Sequence, residues 1–331
     1  MDSFPLVSIL MPAKNAAEFL PACLDSILAQ SYTSWELLVV DDNSIDQTLN
    51  ILHDYSKKDS RVKFFNNEGQ GIIPALRLAF SFSRGKYITR MDADDLMPTE
   101  KLLLLVDACH HENHLATGMV SYFNDRGLGD GYRKYAIWLN ENIQSPDPFA
   151  AIFKECVIPS PCWMLYRTTL QRIGAFDSDT YPEDYDLCFR MRSHDLQIKA
   201  VGEVMHYWRD HPNRSSRTDE HYSDNRFLEL KLHYFLEEDY NNKIPLALWG
   251  AGKKGKKIAQ ILGNAKVRFH WLTGNANKIG HEIYGVKVEG ESMLQSADRM
   301  QVIIAIASVE AQSYVREVVA RNSGVKGFWF C

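Results

Sequence analysis

No run of the chain reaches the ~18 consecutive apolar residues that a membrane-spanning helix needs. No secretory signal is legible at the start either, because Asp2 occupies the place of a basic leader and Pro12 and Lys14 cut the first apolar run short. The six cysteines, at 23, 109, 156, 162, 188 and 331, include no C-x-x-C pair. Their neighbours are mostly apolar, as in Ala22-Cys23-Leu24 and Leu187-Cys188-Phe189. Buried free thiols in a reducing cytoplasm are therefore expected, not a disulfide framework or a zinc site. Positive charge is not in excess: 37 Lys and Arg stand against 42 Asp and Glu, a net charge of −5. That balance argues against nucleic acid as a partner, since a general binder has a basic footprint. It leaves room for small anionic ligands, which a metal ion can bring to an acidic site. Internal repeats and low-complexity tracts are also lacking. The expectation is a cytoplasmic protein, with peripheral contact at the inner face of a membrane left open.

What is present is an ordinary globular mixture, 45% hydrophobic and 24% charged, in 331 residues. At ~100–200 residues per domain that length favours two domains. Between residues 5 and 125, short apolar runs alternate with amphipathic stretches. Residues 7–11, 35–40, 62–65, 87–89 and 119–123 read as strands, and 17–30, 46–55, 73–83 and 98–111 as helices. This alternation predicts an α/β fold with a mostly parallel sheet, whose ligands bind beyond the carboxyl ends of the strands. Residues 126–160 carry Gly127, Gly129, Gly131, Pro146, Pro148, Pro159 and Pro161 and read as a long, partly loop-like excursion suited to a substrate wall. The polar stretch 237–243 reads as a linker, which places a first domain at 1–240 and a second at 244–331. It also predicts that the first folds without the second.

Acidic residues gather at three predicted element ends. The second strand runs into Asp41-Asp42-Asn43-Ser44, where turn and cap chemistry accounts for the residue types as well as nucleobase binding does. The fourth strand runs into Arg90-Met91-Asp92-Ala93-Asp94-Asp95. Three carboxylates in four positions repel one another unless a cation or solvent relieves them. In extended chain Asp92 and Asp94 share a face, and hard oxygen ligands of this kind suit Mg²⁺ or Mn²⁺. The third group, Glu183-Asp184-Tyr185-Asp186, opens a helix. Acids there complement the helix dipole, or supply a general base. His110, His111 and His114 end a predicted helix and are read as dipole partners. Trp35, Trp138 and Trp163 are core residues or sugar platforms, with Trp138 the choice for acceptor contact.

Together, Val7–Asn15, the Val-Val-Asp-Asp-Asn-Ser-Ile-Asp segment, Asp-Ala-Asp-Asp, Glu183-Asp184 and Arg209-Asp210-His211 resemble family 2 glycosyltransferases of the GT-A fold, over about residues 5–220. Lys14 departs from the pattern, many members having an aromatic residue there. The resemblance implies an inverting, metal-dependent hexosyl transfer from a nucleotide diphosphate sugar, a UDP-sugar first of all, to a saccharide or lipid-linked acceptor hydroxyl in surface polysaccharide or glycan synthesis. It implies Asp42, Pro12, Lys14 and Asn15 in the nucleotide pocket and Asp92, Asp94 and Asp95 around Mn²⁺ or Mg²⁺. It further implies Arg209 on the diphosphate, His211 completing the metal site, and Asp184 as base. One alternative is a nucleotide-sugar-binding protein without turnover. Another is a sugar-phosphate nucleotidyltransferase, disfavoured because no glycine precedes Gly69 and a Gly-rich loop after the first strand is missing.

In the second domain Gly250-Ala251-Gly252-Lys253-Lys254-Gly255 stands between a predicted strand and helix, the context of a Rossmann-like phosphate turn. No Asp or Glu occurs between Gly250 and Glu282 to hold a ribose, so no NAD is expected. The domain resembles small Rossmann-like accessory modules beside sugar-modifying enzymes. Structural or partner docking is the leading role, and an anion site near Lys253 the second.

Overall fold

Val-Ser-Ile-Leu-Met-Pro-Ala and Trp-Glu-Leu-Leu-Val-Val-Asp scarcely alternate between apolar and polar, as strands covered on both faces do. They form β1 (Val7–Ala13) and β2 (Trp35–Asp41), parallel, with Ala13 opposite Asp41. The computed structural model describes residues 4–124, 129–212, 214, 227–296 and 298–331. β3 (Val62–Asn66), β4 (Tyr87–Arg90), β5 (His114–Phe123), β6 (Trp163–Tyr166) and β7 (Gln197–Arg209) complete a seven-stranded sheet, ordered β3-β2-β1-β4-β6-β5-β7. Every pairing is parallel except those of β6, which runs antiparallel to β4 and β5. The run β3-β2-β1-β4 is the nucleotide-binding half of a doubly wound sheet.

Helices α1 (Leu20–Leu28), α2 (Thr48–Lys58), α3 (Ile72–Phe82) and α4 (Lys101–Ala108) link these strands. Ile9, Met11, Leu37 and Val39 of the sheet share one buried core with Leu20, Leu24, Leu52, Leu102 and Leu105 of the helices. α4 is shorter at both ends than its hydrophobic pattern suggested. His110 and His111 therefore follow the helix, and His114 opens β5 instead of closing α4.

The expected excursion at 126–160 holds a fourteen-residue helix, α5 (Asp130–Ile143). Its flanking glycines and prolines masked the spacing of Ala136, Leu139 and Ile143, which are buried at helical intervals. Gly127 lies outside the described residues. Two more helices follow, α6 (Arg167–Arg172) and α7 (Glu183–Ser193).

The chain divides into two compact units, residues 1–149 with 156–217 and residues 150–155 with 218–331. This border differs from the expected one at 240–244. The second unit already includes α8 (Phe227–Tyr234), and a wider turn at Phe235–Asp239 continues it into the stretch read as linker. Phe153 explains the outlying hexapeptide: it stacks on Phe330 at 5.1 Å and meets Phe235 and Phe328 edge-on at 6.0 and 5.9 Å. Such aromatic pairs add stability beyond the area they bury.

Within this unit come β8 (Leu246–Trp249), α9 (Lys253–Asn264), β9 (His270–Leu272), β10 (Glu282–Ile283), β11 (Val286–Glu289), β12 (Met300–Ile304), α10 (Val309–Arg321) and β13 (Val325–Trp329). The sheet order is β10-β11-β9-β8-β12-β13. Apart from the short β10, it follows the Rossmann order. A side chain at Gly255 would meet Gly250 O at 1.9 Å, so glycine there lets α9 pack against the turn that starts it. Lys278 Nζ donates to Ala251 O in the same turn at 2.7 Å.

Candidate active site

The register of β1 and β2 sends two loops off the sheet side by side, Lys14–Asn15 and Asp42–Ser44. Asn15 and Asn43 both take positive φ, 49° and 58°, which Asn tolerates better than most residues. Asn15 N–H donates to Ser44 Oγ at 2.8 Å, and Ile45 N–H donates to Asn15 Oδ1 at 2.9 Å. Asp46 accepts from Ala17 N–H and Thr48 N–H, both at 3.0 Å. Ser44 and Asp46 thus lash the two loops together beside half-buried Pro12.

Asp42 is nearly enclosed. Its Oδ2 accepts from Lys14 Nζ at 3.0 Å, and its Oδ1 from Asn67 Nδ2 at 2.7 Å and Gly71 N–H at 3.0 Å. Burial works to raise the carboxyl, but Lys14, Gly71 and Asn67 together hold it below the usual carboxylate range. Gly71 has φ 92°, open to glycine at little cost. Lys14, where the pattern of the family was broken, is therefore an ionic partner of Asp42.

At the end of β4, Arg90 turns its guanidinium along the acidic segment. Nε and Nη2 reach Asp92 Oδ1 at 3.2 and 3.1 Å, while Nη1 reaches Glu183 Oε1 at 2.8 Å. Burial works to lower the Arg90 guanidinium, but the charges of Asp92, Glu183 and Asp184 hold it above its ordinary value. Sequence reading missed it, although a buried Arg ending an apolar strand needs carboxylate partners.

Asp94 and Asp95 differ. Asp94 Oδ2 lies 2.9 Å from His211 Nε2, and Asp94 O accepts from Arg209 Nε at 2.8 Å. The Arg209 guanidinium lies over the rings of Phe19 and Phe123, 4.8 and 4.5 Å from their centres, and Phe19 also packs 4.7 Å from His211. Burial, then the charges of Asp95 and Asp92, raise the Asp94 carboxyl against the pull of His211 and Arg214. Asp92 and Asp94 remain 25% and 28% exposed, whereas Asp95 is 2% exposed. Asp95 Oδ2 faces His206 Nε2 at 2.8 Å and Oδ1 accepts from Arg209 N–H at 2.7 Å. Both its oxygens hold protein groups, which departs from the expectation that Asp95 is a further metal ligand.

The donor set of Asp92 and Asp94 fits a hard divalent cation in kind: two partly exposed carboxylates offering oxygen ligands. Among the described residues no three Asp, Glu, His or Cys side chains form a ready-made metal cage. Arg214 lies over Tyr122 and Trp208, 5.2 and 5.4 Å from the ring centres, and its charge acts on Asp94 and Asp95. Asn213, Ser215 and Ser216 of the same motif lie outside the described residues.

α7 sorts its three acids by partner. Asp186 takes Arg190 Nε one turn along at 2.9 Å, and Glu183 takes Arg90. Half-buried Asp184 accepts Tyr185 N–H at Oδ1, 2.8 Å. Burial, then the charge of Glu183, raises its carboxyl to about 7 against the pull of Arg90 and the Tyr185 N–H. A carboxylate that titrates near neutrality is matched to general-base work.

The tryptophans are not exposed platforms: Trp35 and Trp163 are 1% and 2% exposed, and Trp138 packs partly buried against the core. Among the described residues no helix is long and apolar enough to cross a membrane.

A model of the family described as glycosyl transferase family 2 matches residues 8–174. An uncharacterized glycosyltransferase of Haemophilus influenzae is 27% identical over 285 residues, 79% of this chain and 86% of that protein. The UDP-Glc:alpha-D-GlcNAc-diphosphoundecaprenol beta-1,3-glucosyltransferase WfgD of Escherichia coli is 41% identical over 103 residues, 31% of this chain and 40% of that one. Among solved structures, S. aureus TarS 1-349 in complex with UDP-GlcNAc is similar in fold. Its TM-score is 0.53 at 17% identity, over 78% of this chain and 72% of that one.

Proposed function

The chain belongs to glycosyl transferase family 2 with a GT-A fold, and from that premise we propose that it moves a sugar from a uridine diphosphate donor to an acceptor hydroxyl with inversion. The reading is carried by one observation: Arg90 bridges Asp92 and Glu183, so the acidic segment after β4 and the start of α7 meet at one guanidinium. The name of the Escherichia coli relative, a glucosyltransferase using UDP-Glc and a diphosphoundecaprenol-linked sugar, supports a uridine donor and a lipid-linked acceptor in polysaccharide assembly.

In this reading Asp42 accepts the N–H of the base, with the Lys14 ammonium beside it available to a base carbonyl. Arg209, Arg214 and His211 orient the diphosphate. Asp92 and Asp94 would hold Mn²⁺ or Mg²⁺, which would supply Lewis-acid chemistry by offsetting the charge on the departing diphosphate. Asp184 removes the proton of the acceptor hydroxyl as its oxygen attacks the anomeric carbon. The bond from that carbon to the diphosphate oxygen breaks on the opposite face. One displacement inverts the centre and needs no second carboxylate.

Thermal shift with Mn²⁺ and a panel of UDP-, GDP- and CDP-sugars tests this. A rise in Tm with a UDP-sugar that disappears in Asp42→Asn is expected. A panel without effect contradicts the donor assignment.

A further inference from the structure

Lys101 is fully buried, in the first turn of a helix whose inward positions are otherwise leucine. Its Nζ donates to Pro161 O at 2.7 Å and lies 3.2 Å from His206 Nδ1. His206 Nε2 lies 2.8 Å from Asp95 Oδ2, so the imidazole bridges the lysine nitrogen and the carboxyl, one ring nitrogen to each. Asp95 Oδ1 then holds Arg209 N–H, and the Arg209 side chain holds Asp94 O. Paired backbone bonds between Leu96 and Tyr207, both at 3.1 Å, brace the same two segments. The line therefore begins 0% exposed and ends on the two groups, Asp94 and Arg209, that face the donor.

An aliphatic side chain would fill the space of Lys101 without the cost of removing an ammonium from water, and replacing buried ionic groups by apolar ones is often stabilising. The lysine instead holds Pro161 O and, through His206, orients the acidic segment. His206 occupies Asp95 Oδ2 and leaves Oδ1 to the Arg209 N–H, and that bond ties the end of β7 to the acidic segment. Resting on the donor-site reading above, we propose that Lys101 and His206 are positioning residues that fix Asp94 and Arg209 for metal-dependent binding of the nucleoside diphosphate.

Calorimetric titration of UDP and of GDP in the presence of Mn²⁺, run well below the unfolding temperature of each variant, tests this. Lys101→Met removes the first donor. His206→Leu breaks the line, and His206→Gln keeps one acceptor for Lys101 and one donor for Asp95. Lys101→Met and His206→Leu are expected to weaken binding by about 10–100-fold, the usual effect of losing the groups that orient metal ligands. His206→Gln should stay within roughly threefold of the parent because the donor and acceptor pattern survives. If Lys101→Met does not fold, the His206 pair decides alone. Equal affinity in folded His206→Leu and the parent, with only Tm lowered, overturns the proposal and leaves the donor-site reading standing. Failure of the parent protein to bind either nucleotide with Mn²⁺ overturns both.

Discussion

Arg90 Nη1 lies 2.8 Å from Glu183 Oε1, and the two side chains are 5% and 8% exposed. The other edge of the same guanidinium holds Asp92, so one cation joins the acidic segment after β4 to the helix that carries Asp184. Breaking a buried pair by removing one partner leaves an uncompensated charge and costs about 3–5 kcal/mol. Arg90→Met is expected to lose that much in urea unfolding. A loss under ~1 kcal/mol, the range of exposed pairs, would show that the bridge is not held.

Asp184→Asn is expected to bind the donor nucleotide as the parent does while transfer falls by ~10²–10⁴-fold, the usual share of a general base. Because burial and Glu183 raise its carboxyl to about 7, the base form gains population as pH rises through that value. The parent kcat/KM should therefore climb tenfold per unit below about pH 7 and level off above it. A profile flat from pH 5 to 8 in the parent would remove Asp184 from this role.

Lys14 and Asp42 form a pair with one exposed partner, so Lys14→Ala should change stability by less than ~1 kcal/mol. Asp42→Asn is a different case. Losing a hydrogen bond to a charged acceptor is worth about 1.5–3 kcal/mol. Nucleotide affinity, read by calorimetry with UDP, is expected to fall by roughly 10–100-fold. Similar affinity in Asp42→Asn and the parent would move the base elsewhere.

Phe153, Phe235, Phe328 and Phe330 form one aromatic cluster in the second unit. A chain ended at Tyr240 keeps the first two and loses the partners that bury them. It is expected to be insoluble, against the reading of 237–243 as a dispensable linker. In the full chain Phe330→Ala should cost about 3–5 kcal/mol, as for other buried Phe, measured by urea unfolding. A soluble truncation with native near-UV circular dichroism would contradict this account of the cluster.

The fold was legible where periodicity is long and element ends are chemically marked. The first four strands of the large sheet and the acids at the strand ends follow from apolar runs stopped by Asp and Asn. α5 was hidden by the glycines and prolines around it, and β10, β11 and β13 by shortness or by falling after turns with no apolar run of their own. Within the site, residue type identified Asp42, Asp92, Asp94 and Asp184 as candidates, but not their partners. Arg90, Asn67, Lys101 and His206 reach the site only through the register of β3, β4 and β7 and the seat of α4. The difference between Asp94 and Asp95 is likewise tertiary: adjacent acids of one type are separated by which of them faces His206.

The account is tested most directly by free nucleoside diphosphate, measured after incubation of the protein with Mn²⁺, a panel of UDP- and GDP-sugars and a lipid-linked sugar acceptor. The parent protein is expected to release UDP from one of them, and Asp92→Asn combined with Asp94→Asn to release none while remaining folded by circular dichroism. Undiminished release by the double variant, or no release from any donor by the parent, would contradict it.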